Sequence, residues 1–254
     1  MAKVQRGSLL HHAADVYSQR GDDGIIREIF RRLDLDRGSF VEFGAWDGLH
    51  HSNTRLLFEK GWSGMFIEGD PAKARHLKER YAASPDVICI EGFVHPASGP
   101  DRKSLDDYCD DNGIDGIDFL SIDIDGLDLN VFENLRRRPK AVAIEGGFSW
   151  HPQMNVRVPD AVAARNLQQP LAIVVEAVRA KEYEPVCFNQ NLYAVESRFA
   201  ECFDGVKHDA ESLWLDGYYI QSEAFRLNLS SFRRNHPLIR EYETPYESGF
   251  TVDA

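Results

Sequence analysis

The sequence predicts an α/β protein built on a doubly wound, seven-stranded, mostly parallel sheet with helices on both faces. Three observations carry this expectation. Short apolar runs alternate with helical patterns from Asp22 to Val195, the order that builds a parallel sheet through crossover helices. Several runs stop at an acid beside a glycine, as in Glu42-Phe43-Gly44, Glu68-Gly69 and Asp123-Ile124-Asp125-Gly126; a buried strand opens into a ligand crevice in this way at its carboxyl end. The 254 residues, 43% hydrophobic and 28% charged, suffice for one large domain with a substantial core and an appendage.

Each element follows from local pattern. Asp22 and Asp23 precede Ile25, Ile26, Ile29, Phe30 and Leu33, a helical spacing with acidic caps. Ser39 to Phe43 is a strand, Gly44 to Gly48 a turn, and the next helix is capped by Ser52 and ended by Gly61. Ser63 to Ile67 is the second strand; Asp70 then caps a helix with Pro71 at its first position and Leu77 and Tyr81 on its inner face. The alternation continues with a strand over Val87 to Ile90, a helix over Ser104 to Asn112, a strand over Ile117 to Ile122, a helix over Leu129 to Leu135 and a strand over Ala141 to Ile144. Ala161 to Lys181 contains one or two helices with Pro170 as a break, and Pro185 to Phe188 with Leu192 to Val195 form a closing hairpin around Asn189-Gln190-Asn191. Residues 1–203 form the main domain on this reading. Residues 204–254, with Tyr218, Tyr219, Phe225 and Phe232, form an aromatic-rich extension that packs on the domain or on a second subunit, so a homodimer is an expectation.

The formal net charge of −12 and pI near 5.2 argue against nucleic acid or an anionic membrane as the main partner, since both are polyanions. Cys89, Cys109, Cys187 and Cys202 show no C-x-x-C pair and read as reduced thiols. Met1 to His12 is too short in apolar residues for a signal peptide, and no run reaches the length of a membrane span, so a cytoplasmic location is expected.

The chemistry is sought at the strand ends. Glycines at Gly44 and Gly48 let a ligand approach the backbone, although such glycines also serve packing. Glu68, ending the second strand, follows Gly44 at close to the spacing of roughly 20 residues at which an acid reaches the ribose hydroxyls of a nucleoside cofactor. A dinucleotide fingerprint requires G-x-G-x-x-G, whereas this turn reads Gly44-Ala45-Trp46-Asp47-Gly48. The second glycine is absent. Asp47 would repel a pyrophosphate and suit a zwitterion, such as the amino acid end of S-adenosylmethionine; a methyl donor is favoured over NAD.

Ser18-Gln19, Gly21-Asp22-Asp23, Val41 to Gly48, Ser52-Asn53-Thr54 and Gly61 to Asp70 together resemble a class I S-adenosylmethionine-dependent methyltransferase of the FkbM-like branch, over about residues 17–200. The resemblance implies a Rossmann-like methyltransferase fold with the donor held by Glu42, Gly44, Ala45 and Asp47 after the first strand, Glu68 and Gly69 after the second, Glu91 and Gly92 after the third, and Asp123 after the fourth. It also implies O-methylation of a hydroxyl on a sugar or related small molecule. Some such enzymes bind Mg²⁺ through acids ending the fourth and fifth strands, where this chain has Asp123, Asp125 and Glu145; Gly146 and Gly147 stand where a further ligand often follows. A metal would lower the pKa of an acceptor hydroxyl. Without one, Asp123, Asp125 and His151 are the candidate bases, with Asp123 preferred. The rival readings are a cofactor-binding partner or regulatory protein without catalysis and an NAD-linked oxidoreductase.

Overall fold

A computed structural model describes residues 5–147, 150–165, 168–205 and 208–217. Seven strands, β1 (Ser39–Phe43), β2 (Ser63–Glu68), β3 (Val87–Glu91), β4 (Phe119–Ile122), β5 (Ala141–Glu145), β6 (Tyr183–Phe188) and β7 (Asn191–Glu196), form one sheet in the order β3-β2-β1-β4-β5-β7-β6. The first five are parallel, while β7 pairs antiparallel with both β5 and β6. The hairpin thus inserts its second strand beside β5 and leaves its first at the edge. Reversal of order between β1 and β4 opens the crevice in which open α/β sheets bind ligands.

Strand alternation divides the core in two. On one face Val41, Phe43, Met65, Ile67, Leu120, Ile122, Val142 and Ile144 pack under α4 (Leu105–Asp111), α5 (Asp128–Asn134) and α7 (Leu171–Ala180). On the other, Phe40, Phe66, Phe119, Ala141 and Ala143 meet α1 (Asp22–Arg32), α2 (Arg55–Glu59) and α3 (Pro71–Tyr81). Burial of one such Leu, Ile or Phe side chain stabilises the fold by roughly 1.5–3 kcal/mol.

Several boundaries differ from the sequence reading, each for a local reason. Asp22 and Asp23 do not cap α1: Gly21 holds that position, and Asp23 Oδ2 accepts the amides of Val16, Tyr17 and Ser18, pinning the preceding loop. Asp22 is buried against the hairpin, where its carboxylate accepts from the Tyr193 hydroxyl and the Asn189 side chain. The helix expected between Ser52 and Gly61 is a short α2, because Ser52 is drawn into the β1 network and caps from a distance, accepting the Arg55 amide at 3.1 Å. Asp70 caps α3 as expected, accepting the amides of Ala72 and Lys73. Pro170 stands between two helices, α6 (Asp160–Ala163) and α7. β4 begins at Phe119, two residues late, since Asp118 turns its carboxylate to the Ser39 amide and hydroxyl.

Residues 210–217 are helical; Leu213 joins the core and Asp216 accepts from the Gln5 amide and side chain, so the start of the expected extension lies on the domain. Tyr218, Tyr219, Phe225 and Phe232 fall outside the described residues. Among the described residues no helix is long and apolar enough to cross a membrane.

Candidate active site

The carboxyl ends of β1 and β4 touch through a glycine. Gly44 has φ +72°, and a Cβ placed on it would lie 1.7 Å from the Asp123 carbonyl oxygen. The turn after β1 and the acid-bearing loop after β4 are therefore one packed unit, with Gly44 at its closest approach.

Glu42 serves this unit from inside. It is buried, with Oε1 accepting the Asn53 amide at 2.8 Å and Oε2 the hydroxyls of Ser52 and Thr54 at 2.7 and 2.6 Å. Asn53 continues the network to the Ser121 hydroxyl on β4. Burial pushes the Glu42 carboxyl up, against the hydrogen bonds of Thr54, Ser52 and Asn53. Asp47 is likewise engaged by the chain: Oδ1 accepts the amides of Leu49 and His50, and Oδ2 meets His50 Nδ1 and an Arg80 guanidinium nitrogen, each at 2.8 Å. Burial opposes its charge, but the His50 amide and ring and the Leu49 amide outweigh it and hold the carboxyl below its ordinary value. Glu42 and Asp47 thus brace the turn through hydrogen bonds within the chain.

Glu68 is arranged differently. Its two oxygens accept the backbone amides of Trp46 and Asp70, both at 2.7 Å, which fixes the plane of the carboxylate while a lone pair on each oxygen remains for an approaching diol. Ala45 is buried, its amide donating to the Ile67 carbonyl, so it contributes backbone alone. Glu68 and Glu91 are register partners, and the Gly92 amide donates to the Glu68 carbonyl. The Glu91 carboxylate pairs with Lys78 at 3.1 Å. Gly69 lies under the Phe93 ring. The sequence-predicted residues of β1, β2 and β3 therefore line one stretch of the carboxyl edge.

The acids after β4 and β5 form the second half. One carboxylate oxygen from each of Asp123, Asp125 and Glu145 lies within 4.8 Å of the others. Asp123 and Asp125 keep solvent contact, whereas Glu145 Oε2 is buried with no hydrogen-bond partner. Burial within the protein mass, then the neighbouring carboxylates of Glu145, Asp128 and Asp125, pushes Asp123 well above the ordinary carboxylate range. Burial, then Asp125, raises Glu145 too. The donor set is all oxygen and anionic, with one oxygen unsatisfied, and it suits a hard divalent cation.

His151 is not part of this group. It is exposed on the loop after β5, with Nδ1 accepting from the Gln153 amide at 3.3 Å. Asp128 is the site residue that sequence reasoning missed. At the start of α5 its carboxylate accepts the amides of Ile124 and Gly126, both at 2.8 Å, and burial pushes it up to about 7. It shapes the loop presenting Asp123 and Asp125; an acid opening a helix was the available signal. The basic run Arg136-Arg137-Arg138 is engaged in ion pairs with Asp106, Asp110, Glu182 and Glu196.

Comparison with known proteins places this geometry. Residues 100–171, which run from the loop before α4 to the start of α7 and include all three acids, match the family model of the methyltransferase FkbM domain. Over those residues the chain is similar to that domain. No curated relative matches it. Solved structures similar to the chain include a Staphylococcus aureus protein described as a caffeoyl-CoA O-methyltransferase, at 13% identity, 74% of this chain and 87% of that one, with a TM-score of 0.46. A SAM-dependent methyltransferase from Aquifex aeolicus has 12% identity, 67% and 88% coverage and a TM-score of 0.38. The glycopeptide N-methyltransferase MtfA complexed with sinefungin has 16% identity, 72% and 87% coverage and a TM-score of 0.39. At these identities and TM-scores the fold of the chain rests on its own strand order.

Proposed function

We propose that this chain is an FkbM-like methyltransferase that transfers a methyl group from S-adenosylmethionine to a hydroxyl of a sugar or related hydroxylated small molecule. The observation that carries this reading is the meeting of Asp123, Asp125 and Glu145 beside the Gly44 turn. It divides the crevice into a nucleoside side over β1, β2 and β3 and an acid side over β4 and β5. Donor and acceptor then face each other across the β1–β4 junction. Glu68, with its plane set by two amides, supports binding of the ribose diol, and the Trp46 side chain in place of a second glycine disfavours a dinucleotide pyrophosphate.

The reaction on this reading is a direct displacement. The acceptor oxygen bonds the methyl carbon as the carbon–sulfur bond breaks, and the hydroxyl proton passes to Asp123. Alignment of the two reactants supplies much of the acceleration. In the alternative with a metal, Asp123, Asp125 and Glu145 would hold Mg²⁺, which would lower the pKa of a coordinated hydroxyl in place of proton transfer to Asp123.

Calorimetric titration with S-adenosylmethionine and S-adenosylhomocysteine, with and without Mg²⁺ and with NAD as control, tests the assignment. Micromolar binding of the sulfur nucleosides and none of NAD is expected, followed by turnover in a screen of sugar acceptors. Absence of sulfur-nucleoside binding would refute the donor; binding and turnover indifferent to Mg²⁺ would refute the metal.

A further inference from the structure

Among the described residues five large apolar side chains are left exposed, Trp46, Phe93, Val156, Val162 and Leu215. The two aromatic ones stand on either side of Glu68-Gly69. The Trp46 amide donates to Glu68 Oε2, and the Phe93 ring lies against Gly69, where an added Cβ would come within 2.3 Å of it. In the strand order β3-β2-β1 one follows β3, the other follows β1, and the acid ends β2 between them.

Trp46 is also held in an uncommon conformation. Its φ of +49° is the left-handed region that glycine adopts freely and a bulky residue adopts only when its surroundings impose it. In this conformation its amide donates to Glu68 Oε2. The indole projects outward, with 38% of the residue exposed and the Lys73 ammonium 4.7 Å from the ring centroid. An aromatic side chain in a strained position, left partly in water beside the acid of a nucleoside site, matches a ligand-covered surface. Phe93 is 67% exposed and also lines a surface cavity of about 370 Å³ with His95, Lys103 and Tyr108.

We infer that Trp46 and Phe93 are donor-contacting residues, two aromatic walls that enclose the nucleoside of S-adenosylmethionine over Glu68-Gly69, with Phe93 against the base and Trp46 against the ribose and sulfonium end. The inference rests on the proposed donor. It assigns contact to side chains, where the glycine turn alone offers only backbone. A cationic sulfonium beside an indole is a favourable pairing, and an aromatic wall under a base contributes by stacking.

The test is calorimetric titration of S-adenosylhomocysteine and S-adenosylmethionine into the wild-type protein and the variants Trp46→Gly, Trp46→Phe and Phe93→Ala, with thermal unfolding of each. Trp46→Gly and Phe93→Ala should each weaken binding by roughly 5- to 100-fold, and Trp46→Phe by much less. Trp46→Gly should keep its unfolding midpoint within about 3 °C, because the lost side chain is replaced by the residue that this φ suits. Tryptophan emission should change on ligand addition in the wild type and lose that change in Trp46→Phe. Wild-type binding that survives Trp46→Gly and Phe93→Ala within about twofold would overturn the inference and leave the donor standing. No binding by the wild type would overturn both.

Discussion

Replacing Gly44 by alanine tests whether the β1 turn and the β4 loop are one packed unit. Two effects add. The left-handed φ of +72° costs an L-residue roughly 1–2 kcal/mol. The new Cβ would lie 1.7 Å from the Asp123 carbonyl oxygen and 2.9 Å from its carbon, against an ordinary carbon–oxygen contact of about 3.3 Å. The obstacle is backbone, so no side chain can swing away. Relief requires β1 and β4 to part beyond their last register pair, Phe43 with Ile122, and overpacking of this kind costs about 1–3 kcal/mol. Loss of unfolded-chain entropy returns about 0.4–1 kcal/mol, leaving a net destabilisation of about 2–4 kcal/mol. At about 2–4 °C per kcal/mol for a chain of this size, the unfolding midpoint should fall by roughly 5–15 °C. Urea denaturation followed by circular dichroism measures the free energy, and scanning calorimetry the midpoint. A Gly44→Ala protein that melts within about 2 °C of wild type would show that the turn yields freely, and the account of Gly44 would be wrong.

Three further outcomes follow from the same geometry. Glu42→Ala strands two hydroxyls and an amide in the core and should destabilise by about 2–4 kcal/mol, whereas Glu42→Gln, which keeps an acceptor, should lose far less; equal stability of Glu42→Ala and wild type in urea would contradict the bracing role. Asp123→Asn should reduce turnover by about 10²- to 10⁴-fold while S-adenosylhomocysteine still binds, and near-normal turnover would remove Asp123 as the base. For Asp22, burial raises the carboxyl from 3.8 to about 6 against the hydrogen bonds of Tyr193 and Asn189, so the fold favours its protonated form. Its contribution is complete below about pH 4 and is lost as pH rises through 6, a change of about 3 kcal/mol. Asp22→Asn should flatten the fall in stability between pH 4 and 7 by about that amount, and an unchanged slope in urea titrations would sink the assignment.

Much of the fold was legible because it is written in local periodicity. Asp70-Pro71 announces α3, and the apolar run before Asp123 announces β4, since burial on both faces demands a continuous apolar strand. The acids at the strand ends could be picked out for the same reason, because each interrupts or closes an apolar run. Their roles were not equally legible. Glu42, Asp47, Glu68, Asp123 and Glu145 look alike in sequence, yet the first two brace the turn, the third is aimed by two amides, and the last two join Asp125 in a shared cluster. Asp128, which the sequence reading did not single out, shapes the β4 loop.

By itself, then, the sequence determined the strand and helix order and the acids that gather at the carboxyl edge, because these depend on neighbours a few positions apart. Only the tertiary structure decided that β7 enters the sheet beside β5, that Gly44 is required by the Asp123 carbonyl, and that acids from β4 and β5 come within 4.8 Å of one another. Those facts depend on strands far apart in the chain becoming neighbours. A carboxylate's role is set by which amides, cations and carboxylates surround it in space.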